Sequence, residues 1–208
     1  MQTFECKRTV SFDFVEQDGR YSFRFTVIDI MRVISGKYKG RHFDVPRNFK
    51  ARPTTDFAKE NLFNILNNMV DFEESSVLDF FAGTGSISLE FLSRGCKAVT
   101  SVEMDAMHAA HLKKTCAALG DDAWSVVRDD VFRYIRRAPA AYDLVFADPP
   151  YALKELKAIP DLVLEGGLLK PGGMLVFEHG KDNDFSEHPC FFRHVAYGSV
   201  NFSFFEKK

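Results

Sequence analysis

From Ser76 onward, short apolar runs alternate with longer stretches whose apolar positions recur every three or four residues. The short runs read as strands buried on both faces, and the longer period reads as amphipathic helices. The pattern predicts strands at 76–80, 98–103, 123–128, 143–147 and 173–178, with helices at 85–94, 105–119, 130–137 and 152–165 between them. Phe191–Val195 and Ser199–Phe205, turned at Gly198, read as a closing antiparallel pair. Alternating βα units imply parallel strands with right-handed crossovers. The expected class is therefore α/β: a doubly wound, Rossmann-like sheet of seven strands, mostly parallel, with an antiparallel C-terminal pair. Upstream, period-two alternation in Val10–Val15 and Tyr21–Val27 around Asp18-Gly19 predicts a hairpin. Thr54 or Thr55 can cap a helix running to about Met69 that buries Phe57, Leu62, Phe63, Ile65 and Leu66. Three parts follow: an extension over 1–30, an arm over 31–53 and the main domain over 54–208.

Two segments carry chemistry as well as architecture. The apolar run Tyr142–Ala147 ends in Asp148-Pro149-Pro150-Tyr151. Neither proline has an N–H for a sheet ladder, so the strand must stop there. A carboxylate, two free carbonyls and an aromatic ring are left at its carboxyl end, the edge where open α/β sheets bind ligands. Asp-Pro alone would read as a capped turn. The full tetrapeptide behind a buried strand suits a planar amine held by acceptors against a base-sized ring. The second segment is Val77–Gly95, in which Asp79 ends a strand and Gly83 and Gly85 allow a sharp turn before a helix. It resembles the dinucleotide fingerprint, with Ser88 at the third glycine position. The next strand ends at Glu103, placed where an acid can accept both ribose hydroxyls, so a nucleoside-type cofactor is expected.

Composition bounds this picture. At 208 residues, 46% apolar and 14% aromatic, the chain can bury one substantial core. No apolar run reaches the roughly 18 residues of a membrane span, and no basic-then-apolar leader is visible. Cys6, Cys96, Cys116 and Cys190 lack any Cys-x-x-Cys spacing and read as buried thiols of a cytoplasmic protein. His108 and His111 share a helix face without a third ligand nearby, so no metal is expected. The net charge of −2 conceals an asymmetry. Arg32, Lys37, Lys39, Arg41, Arg47, Lys50 and Arg52 face only Asp44 between Met31 and Arg52, with Tyr38, His42 and Phe43 interleaved. Such an arm is the footprint expected for a phosphate backbone; its bland reading is a solvated loop.

Together, Met31–Arg41, Arg52-Pro-Thr-Thr-Asp-Phe-Ala-Lys-Glu-Asn-Leu-Phe63, the Asp79–Gly85 loop and Asp148–Tyr151 resemble the RsmD family from Met31 to the C-terminus. Those bacterial enzymes methylate the N2 amine of one guanine in 16S rRNA with S-adenosylmethionine. The glycine loop and Asp-Pro-Pro-Tyr mark amino-methyltransferases in general; the Ser-Gly-x-x-x-Gly arm and Arg-Pro-Thr narrow the choice. Residues 1–30 have no counterpart in that pattern and read as an added hairpin or an upstream start. The resemblance implies a methyltransferase domain of the S-adenosylmethionine-dependent type, acting as a monomer in the cytoplasm on 16S rRNA or the assembling small subunit. It implies that Asp79, Gly83, Thr84 and Gly85 border the methionine half of the cofactor. Glu103 would take the ribose diol, Met104 would pack on the adenine, and Asp130 would meet the adenine amine, with Asp129 as a rival. Thr54 would help close that site. Asp148 and Pro149 would hold the target amine, Pro150 would shape the turn and Tyr151 would stack on the base. Arg32, Lys37, Lys39, Arg41 and Arg52 would contact RNA. For Glu103 and Asp130 the plainer reading is helix capping. Rival functions are a DNA adenine-N6 or cytosine-N4 methyltransferase, which needs a target-recognition insertion that no gap here can hold, and a protein-glutamine methyltransferase, which usually carries Asn in place of Asp148. A non-catalytic RNA-binding or nicotinamide-binding module is the third.

Overall fold

A computed structural model describes residues 8–17, 20–45, 55–137 and 140–208, with the backbone alone described before Met31. The main sheet comprises β4 (Ser76–Phe80), β5 (Ala98–Glu103), β6 (Trp124–Arg128), β7 (Tyr142–Ala147), β8 (Leu169–His179), β9 (Phe191–Tyr197) and β10 (Val200–Glu206). Its order is β6-β5-β4-β7-β8-β10-β9. The first five of these neighbours run parallel, and β10 and β9 close the sheet antiparallel. The chain leaves β4 in one direction to build β5 and β6 and returns on its other side with β7 and β8. The switch point between β4 and β7 is where a crevice opens in such sheets.

Strand alternation divides the core into two layers. Val77, Phe146, Val176 and Phe204 pack with α1 (Asp56–Leu66), α2 (Ser86–Ser93) and α3 (Ala106–Leu119). Leu78, Val145, Leu175, Phe177 and Phe205 pack with α4 (Val131–Arg137) and α5 (Ile159–Glu165) on the opposite face. Each buried Leu or Phe contributes about 1.5–3 kcal/mol relative to exposure, so both helical layers are needed.

Several elements differ from the sequence expectation for identifiable reasons. Helix α1 is capped by the Thr55 hydroxyl and ends at Leu66, short of Met69. Its buried face holds Ala58, Lys59, Leu62, Phe63 and Leu66, while Phe57 is exposed. Lys59 takes the inward place because its ammonium has partners: it donates to the Arg32 carbonyl at 2.7 Å and the Ser86 hydroxyl at 2.9 Å. The helix expected over 152–165 is a 3₁₀ turn, Leu156–Ala158, followed by α5. Pro160 is confined to the first turn of α5, because a proline further in would remove a helical hydrogen bond. Strand β8 begins at Leu169, earlier than expected, and its register with β7 shifts near Gly172 and Gly173. Cys116 and Cys190 are only partly buried, Cys96 is buried, and Cys6 lies outside the described residues.

A second sheet joins β1 (Arg8–Gln17), β2 (Arg20–Arg32) and β3 (His42–Val45) in antiparallel order. The hairpin thus takes in part of the basic arm: β2 runs through residues 30 and 31, and β3 pairs with its last four residues. Between β2 and β3 the chain clasps the end of α2. Glu90, with no exposed surface, accepts the Ile34 N–H at 2.9 Å, the Ser35 N–H at 3.0 Å and the Arg94 guanidinium at 2.9 Å. Ser93 accepts the Lys37 N–H through its carbonyl and the Tyr38 N–H through its hydroxyl. Gly36, at φ 83°, lies so close that an added Cβ would sit 1.9 Å from the Ser93 carbonyl oxygen. Replacing Glu90 by Ala leaves two arm N–H groups without their acceptor and Arg94 with Asn67 in place of its buried carboxylate. Breaking such a buried pair costs about 3–5 kcal/mol, so the urea midpoint is expected to fall sharply, and less in Glu90→Gln. An unchanged midpoint in Glu90→Ala would show that the clasp contributes nothing to folding.

Candidate active site at the carboxyl edge of the sheet

The loop after β4 is built around positive backbone angles. Gly83 has φ 51° and Gly85 φ 81°, and Phe81 adopts φ 59° without being glycine, a strained choice of the kind that clusters at functional sites. Gly85 precedes α2, and a Cβ there would lie 2.4 Å from Leu112 Cδ2, so both conformation and space demand glycine. Thr84 is buried beside it. Asp79, at the end of β4, accepts a short hydrogen bond from the Ser88 hydroxyl. Ser88 also meets the Ser101 hydroxyl at 2.6 Å, which takes the Trp124 indole N–H at 2.8 Å. A serine in the third glycine position is explained by this chain of bonds. Burial pushes the Asp79 carboxyl up to about 7 against the pull of Ser88, with the charge of Asp148 adding to the rise.

Glu103 ends β5 and is nearly buried. Its Oε2 accepts the Gly83 N–H at 2.9 Å and its Oε1 accepts the Asp105 N–H at 2.8 Å. Glu103 therefore braces the glycine loop from the neighbouring strand, with His108 Nδ1 3.9 Å from Oε2, and each oxygen retains a second lone pair. Met104 beside it is 64% exposed. After β6 the two acids divide their work. Asp129 is buried and pairs with Arg133 at 3.5 Å and with Arg137. Asp130 uses Oδ1 to accept the Arg133 N–H at 2.9 Å, which caps α4.

The strand β7 delivers Asp148 and Pro149 to the same edge, with Pro150 and Tyr151 on the surface. The Pro150 carbonyl accepts the Leu153 N–H at 2.8 Å. Of the two carbonyls expected to be free, that leaves Pro149's beside the Asp148 carboxylate. Tyr151 is 48% exposed and its ring lies against Gly180, where a Cβ would come within 3.2 Å of it. Its hydroxyl donates to Glu178 Oε1 at 3.3 Å. Burial lifts the Asp148 carboxyl to about 7. Burial and then the nearby Asp148 charge lift Glu178 well above the usual carboxylate range. Burial, followed by the charges of Glu178 and Asp148, also raises the Tyr151 phenol.

Glu178 was not singled out from the sequence, although it repeats the signal that marked Asp148. Met174-Leu-Val-Phe177 is an apolar run ending on an acid, as is the run before Asp148. By strand alternation Asp79, Glu103, Asp148 and Glu178 follow Val77, Ser101, Phe146 and Val176, placing four acids on the α2 face across adjacent strands.

The expected RNA-contacting cations fare unequally. Arg32 pairs with Asp56 at 3.3 Å and Lys37 with Asp121 at 2.6 Å. Tyr38 donates to the same Asp121 at 2.7 Å and carries the Arg41 guanidinium over its ring at 5.3 Å. Lys39 and Arg41 are exposed, and no acid pairs with them among the described residues. Arg47, Lys50, Arg52 and Thr54 lie outside the described residues. Among the described residues no helix is long and apolar enough to cross a membrane, and no three His, Cys, Asp or Glu side chains group to hold a metal.

Residues 31–206 match the protein family described as conserved hypothetical protein 95. The chain is 35% identical to ribosomal RNA small subunit methyltransferase D of Haemophilus influenzae over 73% of its length and 80% of that protein. It is 31% identical to the Escherichia coli protein of the same name, over 77% and 80%. The solved structure of Escherichia coli yhhF superposes with a TM-score of 0.76 at 28% identity, covering 86% of this chain and 98% of that one. One family spans residues 31–206 and the named relatives reach 31% and 35% identity, so the chain belongs to the small-subunit ribosomal RNA methyltransferase D (RsmD) family.

Proposed function

We propose that this chain transfers a methyl group from S-adenosylmethionine to the exocyclic N2 amine of a guanine in small-subunit ribosomal RNA. One observation supports the reading: Asp148 and Pro149 leave β7 at the carboxyl edge of the sheet, next to β4 and its glycine loop, with the Asp148 N–H on the Phe80 carbonyl and Tyr151 tied to Glu178 on the neighbouring strand. The residues on the loop side fit an adenosyl cofactor. Gly83–Gly85 leave room for close approach, Glu103 has lone pairs for a diol, and Met104 offers an apolar face. Asp130 keeps Oδ2 for the adenine amine, whereas Asp129 is committed to two arginines. When bound, the cofactor supplies a methyl on a sulfonium already activated for displacement. The protein's contribution is alignment, which can lower a barrier by about 7–11 kcal/mol. Asp148 and Pro149 orient the amine so that its lone pair points at the methyl. Asp148 takes up the proton the amine sheds, a role its raised carboxyl suits. Tyr151 stacks on the extruded base, worth roughly 1–3 kcal/mol, against an unstacking cost of a few kcal/mol. Exposed Lys39 and Arg41, with Arg32, Lys37 and Arg52, approach the phosphate backbone.

Asp148→Ala is expected to abolish methyl transfer while S-adenosylhomocysteine affinity stays within a few-fold, since the cofactor rests mainly on β4 and β5. Nucleoside mass spectrometry of small-subunit RNA from a deletion strain should show one N2-methylguanosine missing, restored by the wild-type chain and not by the mutant. A full complement of N2-methylguanosine in the deletion strain would sink the proposal.

The raised Asp148 carboxyl has a consequence for stability. A folded acid near 7 against about 3.8 unfolded binds more protons in the native state between those values, so it costs stability progressively as pH rises from about 4 to 7. Asp148→Asn removes that cost. The variant is expected to melt above the wild type at pH 8, with the gap closing as pH is lowered toward 4. A gap that is constant across this range would mean that Asp148 titrates normally.

Binding to single-stranded RNA should weaken with salt by about 0.7 log units per log unit for each phosphate contact. The double variant Lys39→Ala/Arg41→Ala is expected to flatten the log–log slope by roughly 1.4, with S-adenosylhomocysteine affinity unaltered. An identical slope would assign the arm to solvent and RNA to another surface.

A further inference from the structure

Glu178 holds a buried oxygen that the fold does not use. It is 4% exposed at the end of β8, one residue beyond the Ala147–Phe177 pair, so Asp148 and Glu178 leave neighbouring strands side by side. Tyr151 occupies Oε1, while Oε2 has no hydrogen-bond partner among the described residues. Its partner on β10 is the apolar, buried Phe202, and the adjacent His179 is engaged by the Gly180 carbonyl and the Ser203 hydroxyl. Leaving a buried acceptor unsatisfied is costly, and such oxygens persist where a ligand supplies the missing donor.

Base chemistry identifies that donor. In guanine the N2 amine adjoins a ring N1–H, two donors in a row. In adenine and cytosine the amine adjoins a ring nitrogen that accepts on its Watson–Crick side. Two neighbouring carboxylates match the first pattern and repel the second, and the two donor N–H groups of the base favour the ionised form that burial disfavours in the empty site. We propose that Glu178 selects guanine, its Oε2 accepting the ring N1–H while Asp148 accepts the adjacent N2 amine. This rests on the reading of the site as a guanine-N2 methyltransferase and adds to it the residue that reads the base. The selection is strict because the wrong base leaves a buried acceptor facing an acceptor. Tyr151 is held by the same carboxylate, so stacking platform and edge reader move as one unit.

The test uses RNA carrying the target site, made with either guanosine or 2,6-diaminopurine riboside at the mapped position. Both bases bear the amine at C2, but diaminopurine has an acceptor at N1. The wild type is expected to favour guanosine by at least about tenfold in kcat/KM, the worth of a hydrogen bond to a charged group. Glu178→Leu should act more slowly on guanosine and bring the ratio near one. Glu178→Gln, which can turn its amide oxygen to the base and its NH₂ to Tyr151, should retain the preference. Titration with S-adenosylhomocysteine confirms that each variant keeps a formed site; should the leucine variant fail to bind it, the wild-type ratio and the Gln variant decide. Equal wild-type rates on the two RNAs would overturn the assignment, since Oε2 would then be a donor toward N3, which both bases share. A leucine variant that binds cofactor and still discriminates would overturn it too. A wild type that binds the cofactor and methylates neither RNA defeats the guanine-N2 reading itself and this inference with it.

Discussion

Helix α2 is buried on every side, and that constraint organises both functional ends of the molecule. All eight residues from Ser86 to Ser93 are shielded from solvent, including the charged Glu90. A helix so enclosed needs partners for its polar groups, and besides Lys59 and Arg94 these come from the glycine-loop strand and from the arm. At the amino end Ser88 binds Asp79 and Gly85 turns the loop. At the carboxyl end Glu90 and Ser93 take the N–H groups of Ile34, Ser35, Lys37 and Tyr38. The glycine loop and the basic arm are thereby mounted on one rigid element of about 12 Å, at 1.5 Å per residue.

The second organising fact is electrostatic. Asp79, Glu103, Asp148 and Glu178 lie at the carboxyl ends of four adjacent strands on one face; burial raises Asp79, Asp148 and Glu178, and the charge of Asp148 adds to the rise of the other two. Glu103 is satisfied by two backbone N–H groups, and Asp79 by Ser88. Asp148 and Glu178 lie where the protein supplies fewer donors. That gradient runs from the half of the crevice assigned to the cofactor to the half assigned to the base. A site that is under-supplied with donors at one end is matched to an incoming group rich in N–H.

Much of this was legible in the sequence because buried parallel strands announce themselves as apolar runs that end abruptly. The ends at Asp79, Glu103 and Asp148 are all visible in that way. What escaped required knowing which polar residue finds a partner. Periodicity assigned Phe57 to the core and did not mark Lys59 as buried; the Arg32 carbonyl and Ser86 hydroxyl draw Lys59 inward, and no local pattern encodes a partner 27 residues away. Glu90 was hidden for the same reason. The charge cluster overstated its free cations, because Asp56 and Asp121 lie outside the arm in sequence and beside it in space. Glu178 alone had a usable signal, the apolar run that precedes it.

The relation between the hairpin and the arm follows from strand register. The family match starts at Met31, yet β2 continues through that residue from Arg20. Of the four pairs that hold β3, Met31–Phe43 and Arg32–His42 lie within the family segment, and Asp29–Val45 and Ile30–Asp44 lie across its boundary. Half the ladder that holds β3 thus involves β2 residues outside the family match. The inner rim, from Ile34 to Tyr38, is fixed independently by Glu90 and Ser93 on α2. Lys39 and Arg41 sit between these two anchors, on the turn that joins them, so their reach toward a phosphate backbone is set by the clasp on one side and by the length of β2 on the other.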